Sequence, residues 1–487
     1  MTHATEPQGK LAFHGGLAMV LVAPLIFIAA ATYNLAFLHV YDMSALVAGG
    51  VVGLIINAFF ARSYADYWKA VLKGAGSPDA ANLVLILLVV SLVSALLSVT
   101  GVSSGFIWLA GEIGLNGAWF VPITFALACL MAVSTGTSLG TLFAVFPIFY
   151  PAGVALGASP VLMAGAILSG ALFGDNLAPI SDSTIVSAMT QRYRRREGSA
   201  EVGDIVRTRF RYAGLSALIT FVLFTVTSLM SGTEGAAALE AADASPRGLW
   251  MLIAVTVLIV VAIWKRDIFL AVSVGLVVGV FVGLVTGSLT WSMIISAGEN
   301  NGAGGFLAAG VADMLPLIGI SIVVFAVIGT FQDSGLFAVL VGWLQDRGLT
   351  GSPVRAELSI FGGAIVTTGL FASVNGPSML LFGPVADEVG AAANLHPNRR
   401  ANVMDCGALG LGSVMPVIST FLLISSQLTQ GTGETLSALA VFGASFYPLV
   451  LTVVMLGAIL TGWGRTFEGK DGAEVWARDA DAELLEV

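Results

Sequence analysis

The sequence predicts an all-α polytopic membrane protein with about 12–14 membrane segments, arranged as an inverted-topology repeat with broken helices and room for re-entrant hairpins. Three observations predict it: poverty of charge, many long apolar runs, and a regular alternation of basic and non-basic loops. Only 10% of the 487 residues are charged, 57% are hydrophobic and the mean hydropathy is +0.92. Soluble domains carry about 25% charged residues, so this chain cannot keep a whole surface wet. Runs of about 18 or more apolar residues read as membrane spans. The 58 glycines fit close packing of helices in lipid.

The apolar runs fall near 14–36, 43–61, 82–104, 118–136, 138–156, 161–190 and 212–231, then near 248–264, 267–288, 313–333, 358–374, 376–392, 401–425 and 437–461. The first run is read as a span rather than a cleaved leader, because it is longer than a leader's apolar region. Basic residues mark the cytoplasmic side. They cluster as Arg192, Arg194, Arg195, Arg196, Arg207, Arg209 and Arg211, and recur at Arg62, Lys69 and Lys73, at Lys265 and Arg266, at Arg347 and Arg355, at Arg399 and Arg400, and at Arg465 and Lys470. The loops near 105–117, 157–160, 290–312 and 426–436 contain no Lys or Arg. One alternating path satisfies this pattern and places both termini in the cytoplasm, with Lys10 a weak marker for the first. The expected setting is a plasma membrane, of the bacterial inner-membrane kind. An odd seven crossings per half inverts the second half relative to the first. The expected organisation is a first repeat over 1–231, an extracytoplasmic linker over 232–247, a second repeat over 248–461 and an acidic cytoplasmic tail over 462–487. Each half also carries an amphipathic loop, at 62–81 and 290–312.

Several function classes lose support here. Cys129 and Cys406 are too far apart for a disulfide framework, and the four histidines show no ligand spacing. No P-loop or cofactor motif is present, and nothing basic and aromatic suggests nucleic acid. The bilayer is the one partner that composition requires; a homodimer is left open.

Four stretches interrupt the apolar pattern. They are Ser134-Thr135-Gly136-Thr137-Ser138-Leu139-Gly140-Thr141; Phe173 to Thr184, containing Asp175, Asn176, Pro179, Ser181, Asp182, Ser183 and Thr184; Ser373-Val374-Asn375-Gly376-Pro377-Ser378; and Met404-Asp405-Cys406-Gly407, continuing to Ser413 and Pro416. The first and third hold the same place in their repeats, as do the second and fourth. Glycine and proline break helices and free backbone groups. In hydrocarbon such groups survive only where protein or water satisfies them. Freed carbonyls, hydroxyls and carboxylates are hard oxygen ligands that suit a small hard cation, whereas helix N-termini suit an anion. Carboxylates inside membrane segments mark ion pathways. Burial raises a carboxylate's pKa and a bound cation lowers it, so such a group can take a proton or a sodium ion in turn. Asp175, Asp182 and Asp405 are therefore the expected Na⁺ ligands. Around them, Thr135, Gly136, Thr137, Ser138, Thr141, Asn176, Ser181, Ser183, Thr184, Asn375, Gly376, Ser378, Cys406, Gly407 and Ser413 complete the candidate site. Asp333, Asp387 and Glu388 read as interfacial. No Lys or Arg is expected inside the core of any span.

At these stretches the sequence resembles the NhaC family of sodium/proton antiporters, within the ion transporter superfamily. Ser134 to Thr141 is similar to that family's A-T-G-T-S-W-G-T, with Leu139 in the tryptophan's place. Phe173 to Thr184 is similar to its F-G-D-K-x-S-P-x-S-D-T-T, with Asn176 replacing the lysine. Leu395-His396-Pro397 and Met404-Asp405-Cys406-Gly407 resemble its L-H-P and E-D-S-G. The family's S-P-L-I-P-W-N-T reads here as Ser413 to Thr420, without the Trp-Asn pair. The resemblance implies an inverted-repeat antiporter with exchange centred on Asp175, Asp182 and Asp405. The expected function is secondary transport, foremost Na⁺/H⁺ exchange by alternating access, with Na⁺ and H⁺ as the transported partners and no cofactor. A Na⁺- or H⁺-coupled carrier of a small organic acid, amino acid or drug is the alternative. A membrane-embedded enzyme using Asp175 and Asp182 as acid and base is the remote one, and turnover in detergent without sealed compartments would reveal it.

Overall fold

The computed structural model describes residues 11–36, 43–113, 116–179, 181–231, 245–265, 267–298, 302–336, 339, 352–416, 418–429 and 435–476. Lys10, Arg266, Arg347, most of the 232–247 linker and the tail from 477 lie outside the described residues. The chain is almost wholly helical, as its apolar runs require, because lipid offers a backbone no other partner. The helices are α1 (Val22–Ala36), α2 (Met43–Ala58), α3 (Tyr64–Ala75), α4 (Pro78–Val99), α5 (Val102–Ile113), α6 (Gly117–Thr135), α7 (Ser138–Ala155), α8 (Pro160–Leu177), α9 (Asp182–Thr190) and α10 (Val202–Met230). They continue as α11 (Leu252–Lys265), α12 (Ile268–Thr286), α13 (Phe306–Ser334), α14 (Pro353–Leu370), α15 (Asn375–Ala392), α16 (Pro397–Leu409), α17 (Thr420–Leu428), α18 (Ala438–Ala444) and α19 (Phe446–Thr461). Among the described residues seven helices are long and apolar enough to cross a membrane, and α18 with α19, bent by 54°, makes an eighth. This is a multi-pass membrane protein.

Each expected span has a helical counterpart, with one local correction. The 82–104 span stops at Val99, where Gly101 turns the chain at φ 72° and a separate helix, α5, fills the expected loop. The 290–312 loop holds a single helical turn at Trp291–Ile294 and a two-residue hairpin, Ser296–Ala297 against Ala303–Gly304, before α13 starts at Phe306. The 62–81 stretch does form the amphipathic helix α3, which buries Tyr67, Ala70, Val71 and Gly74. Gly74 meets α13 so closely that a Cβ there would lie 2.1 Å from the Phe325 carbonyl oxygen.

Two helical hairpins organise the centre. Helices α6 and α7 are joined by Gly136, at φ 71°, and Thr137, whose hydroxyl accepts the Gly140 N–H. Their far ends are tied by the Gly117 N–H to the Leu156 carbonyl. Helices α14 and α15 are joined at Phe371–Val374, where Ala372 (φ 51°) and Ser373 (φ 70°) take the left-handed conformation. That conformation is costly for residues with a side chain. Beside each hairpin runs a broken helix: α8 and α9 part at Ala178–Ser181, and α16 and α17 part at Gly410–Ser419. The far end of α9 meets the far half of α15, where the Gln191 side-chain amide donates to the Gly383 carbonyl at 3.0 Å. The first hairpin's tip instead lies at the α8–α9 break, since Ser138 donates to Asp175 at 2.9 Å. The two hairpins therefore enter from opposite ends and meet tip to tip.

Small residues allow this packing. On α8, Gly170 faces Ala128 and Gly174 faces Ala132 of α6; a Cβ on Gly174 would lie 2.0 Å from the Ala132 Cβ. This is the small-xxx-small contact of membrane helices. At the opposite end of the molecule, two of the arginines read as loop markers, Arg399 and Arg400, are buried. Arg399 and Arg465 both pair with Glu357, at 2.7 and 2.6 Å, and Arg400 and Arg194 both pair with Asp387, at 2.6 and 2.9 Å. Asp387 is thus a buried ion-pair centre rather than an interfacial acid. Asp333 does sit near a surface, where Lys73 holds it at 2.6 Å.

Candidate functional site

The hairpin tips and helix breaks enclose a cavity of 240 Å³. Its wall takes Gly136, Thr137 and Ser138 from the first tip, Asp175, Asp182 and Ser183 from the α8–α9 break, and Ser373, Asn375 and Gly376 from the second tip. Three of the four broken stretches thus converge. Asn82, Leu83 and Ile86 of α4, Phe325 of α13, and Thr420 and Phe421 of α17 close the sides. Apart from Thr420, which ends the Ser413–Thr420 stretch, these side-wall residues carry no sequence signal, since each sits in a largely apolar run. A smaller cavity of 40 Å³ lined by Gly74, Ser77 and Gln332 shares Phe325, Val374 and Pro377 with it and leads towards α3.

Asp175 lies in the last turn of α8 and is 8% exposed. Its carboxylate accepts from Ser138 at 2.9 Å, from Ser181, and from the Asn375 side-chain amide at 3.5 Å. Ser181 precedes α9 as its N-cap, yet its hydroxyl serves Asp175 instead of capping α9. Ser183 donates to the Asp175 carbonyl at 3.1 Å. Donors from both hairpins and from the break therefore meet on one carboxylate. Asp182 opens α9, lines the same cavity, and makes no hydrogen bond or ion pair among the described residues. The pair does not share a helical face, because α8 ends at Leu177, the chain turns with the Ser181 N–H donating to the Ala178 carbonyl at 3.2 Å, and Asp182 opens a separate helix.

The ends of helices surround this space. The C-termini of α6, α8 and α14 carry partial negative charge that favours a cation, and the N-termini of α7 and α15 carry the opposite. Thr135 and Thr141 support the first tip through a hydroxyl contact at 3.2 Å. Ser378 supports the second by donating to the Asn375 carbonyl at 2.8 Å, and Ser413 donates to the Asn375 side-chain oxygen at 3.1 Å.

The start of the fourth stretch, Met404 to Gly407, is elsewhere. Asp405 does not line the cavity: Arg209 of α10 holds it at 3.0 Å, with both side chains fully buried. Asn176 bridges the two regions. Its amide donates to Asp405 at 2.7 Å, and its side-chain oxygen accepts from Tyr447 at 3.0 Å. Arg209 also donates to the Asn176 carbonyl at 2.7 Å and to the Thr184 hydroxyl at 3.0 Å, satisfying a backbone group at the α8–α9 break. Cys406 is fully buried on α16, and Gly407 lies where a Cβ would be 2.8 Å from the Phe361 carbonyl oxygen. One expectation is corrected: Arg209 puts a cation inside the helix packing, where it is the ion-pair partner of Asp405. Arg209 was legible in part. It falls in phase with the buried stripe Tyr212, Ala213, Ser216, Thr220 and Phe224, whereas Arg207 and Arg211 do not.

The chain is similar to several known proteins. A relative from Bacillus subtilis, the malate-2H⁺/Na⁺-lactate antiporter, is 27% identical over 263 residues, covering 53% of this chain and 54% of its own. The Na⁺/H⁺ antiporter NhaC of Alkalihalophilus pseudofirmus is 29% identical over 136 residues, 28% of this chain and 29% of its own. The chain thus spans about half, or less, of the length of these relatives. A solved transporter, YdaH of Alcanivorax borkumensis, aligns over 92% of this chain and 98% of its own at 14% identity and a TM-score of 0.38. Residues 11–229 match the model of the Na⁺/H⁺ antiporter family.

Proposed function

We propose that the protein is a secondary antiporter that exchanges Na⁺ for H⁺ at the cavity between the hairpin tips. The observation that carries this reading is Asp175, on which Ser138, Ser181 and Asn375 converge from the first tip, the helix break and the second tip. A sodium ion entering the cavity finds two carboxylates, Asp175 and Asp182, and the hydroxyls of Thr137, Ser138 and Ser183. These are the hard oxygen donors a small cation needs. A proton on Asp175 removes the charge that holds the ion, so the two occupants exclude each other. Because both tips contribute to the same carboxylate, movement of one repeat against the other carries the site from one face to the other. The inverted repeat, with 1–231 and 248–461 as its halves and both termini cytoplasmic, fits the opposed entry of the hairpins.

A second reading has its own support. The N-termini of α7 and α15 face the cavity beside the carboxylates. A small organic acid could place its carboxylate there while Na⁺ or H⁺ sits on Asp175. The Bacillus subtilis relative carries malate and lactate by name. The test is proton flux in sealed proteoliposomes, read with a pH-sensitive dye as Na⁺, Li⁺ or K⁺ is added with and without lactate or malate. Cation-evoked flux without solute supports simple exchange. Flux that needs the organic acid supports the second reading, and silence under all conditions with the protein inserted contradicts both.

A further inference from the structure

A second polar cavity, of 490 Å³, lies end-on to the first along the same four helices. On α4 the first cavity takes Asn82 and Ile86, and the second takes Ser91, Ser94 and Ser98. On α7 the order is Leu139, then Pro147 and Pro151; on α17 it is Phe421, then Gln427. Helix α13 runs the other way, with Phe325 at the first cavity and Asp313 at the second. Between the two levels these helices carry Leu87, Leu142, Phe143, Phe146 and Ile424, each no more than 2% exposed. Buried, mostly apolar side chains therefore separate the two chambers.

The second chamber has its own chemistry. Its wall offers the hydroxyls of Ser94, Ser98 and Ser104, and its one carboxylate is Asp313. No Lys or Arg lines it among the described residues. The Asp313 carbonyl accepts from Gln427 at 2.8 Å, while its carboxylate makes no hydrogen bond or ion pair among the described residues. Water takes about 30 Å³ per molecule in the liquid, so the chamber has room for an ion with its first hydration layer. A single unpaired negative charge inside low-dielectric walls concentrates counter-ions.

We propose that this chamber is a second cation site, an antechamber in which Asp313 holds a small hydrated monovalent cation on the far side of these buried side chains from Asp175 and Asp182. The identity of the ion as Na⁺ rests on the exchange reading above; the charge-selective chamber does not.

The test uses full-length protein in proteoliposomes. Ser94→Cys and, separately, Ser98→Cys are placed in a Cys129→Ala background, with the fully buried Cys406 left in place as the control for background labelling. Membrane-impermeant cationic and anionic thiosulfonates are then compared. The cationic reagent is expected to react roughly tenfold faster, after correction for their ratio on a free thiol. Asp313→Asn should collapse that preference, and Na⁺ should slow the cationic reagent more than equal choline does. A preference indifferent to Asp313→Asn, no protection by Na⁺, or no reaction at either cysteine from either side overturns the proposal. Labelling needs no turnover. If selectivity follows Asp313 and Na⁺ protects while the parent shows no Na⁺-evoked proton flux, the exchange reading fails and the antechamber stands.

Discussion

Three aspartates that look alike in sequence have three different surroundings. Asp175 is wrapped by donors, Asp182 is open to the cavity, and Asp405 is neutralised by Arg209. Asp175→Asn and Asp182→Asn should therefore reduce cation-evoked proton flux by at least about 100-fold while leaving expression and thermal stability close to the parent's. The Arg209–Asp405 pair should behave in the opposite manner. Removing one partner of a buried pair leaves an uncompensated charge and costs about 3–5 kcal/mol, whereas replacing both with apolar residues recovers much of that. Thermal unfolding of Arg209→Met, Asp405→Leu and the double variant should show this non-additive pattern; additive losses would remove the structural role assigned to the pair. His396 gives a pH prediction. It caps α16 outside the spans, and burial holds its pKa below the usual histidine value against the pull of Glu474 and Glu468. The folded state therefore resists protonation that the unfolded chain accepts. The stability it contributes is present above about pH 6.5 and is lost as pH falls through and below that value. The thermal midpoint should drop on acidification in that window, and His396→Gln should flatten the drop.

At the scale of elements, the contacts that set the site are glycine contacts. Gly174 precedes Asp175 and lets α8 touch α6 at Ala132. Gly174→Val should lower stability by about 1–3 kcal/mol through overpacking. It should also weaken cation-evoked flux by moving Asp175 away from Ser138, which a change in apparent cation affinity would report. Most elements were legible because lipid permits little besides helices, and because Gly136, Pro179 and the Ser373–Pro377 run flag breaks by composition. The left-handed Ala372 and Ser373 were not, since neither residue type signals that conformation; tertiary contacts impose it, including the Ser373 hydroxyl's bond to the Gly412 carbonyl at 3.1 Å. Helix α5 was missed for a related reason: its 12 residues are too few to span and carry no loop chemistry to distinguish them.

Across the whole molecule, the sequence identified which stretches are unusual, but could not say which of them touch. Three of the four meet at one cavity, and the start of the fourth is diverted into a network with α10 and Tyr447. That diversion depends on a single arginine whose helical phase, and not its type, shows that it points inward. On the proposed exchange reading, the two occupants share Asp175, the carboxylate that both hairpin tips reach. The central claim is that one carboxylate cluster takes either ion. It is tested most directly by equilibrium ²²Na⁺ binding to the purified protein across pH, for the parent and Asp175→Asn. The account predicts that the apparent affinity for Na⁺ falls as the proton concentration rises, and that saturable binding disappears in Asp175→Asn. Sodium binding that is independent of pH, or that survives Asp175→Asn unchanged, would contradict it.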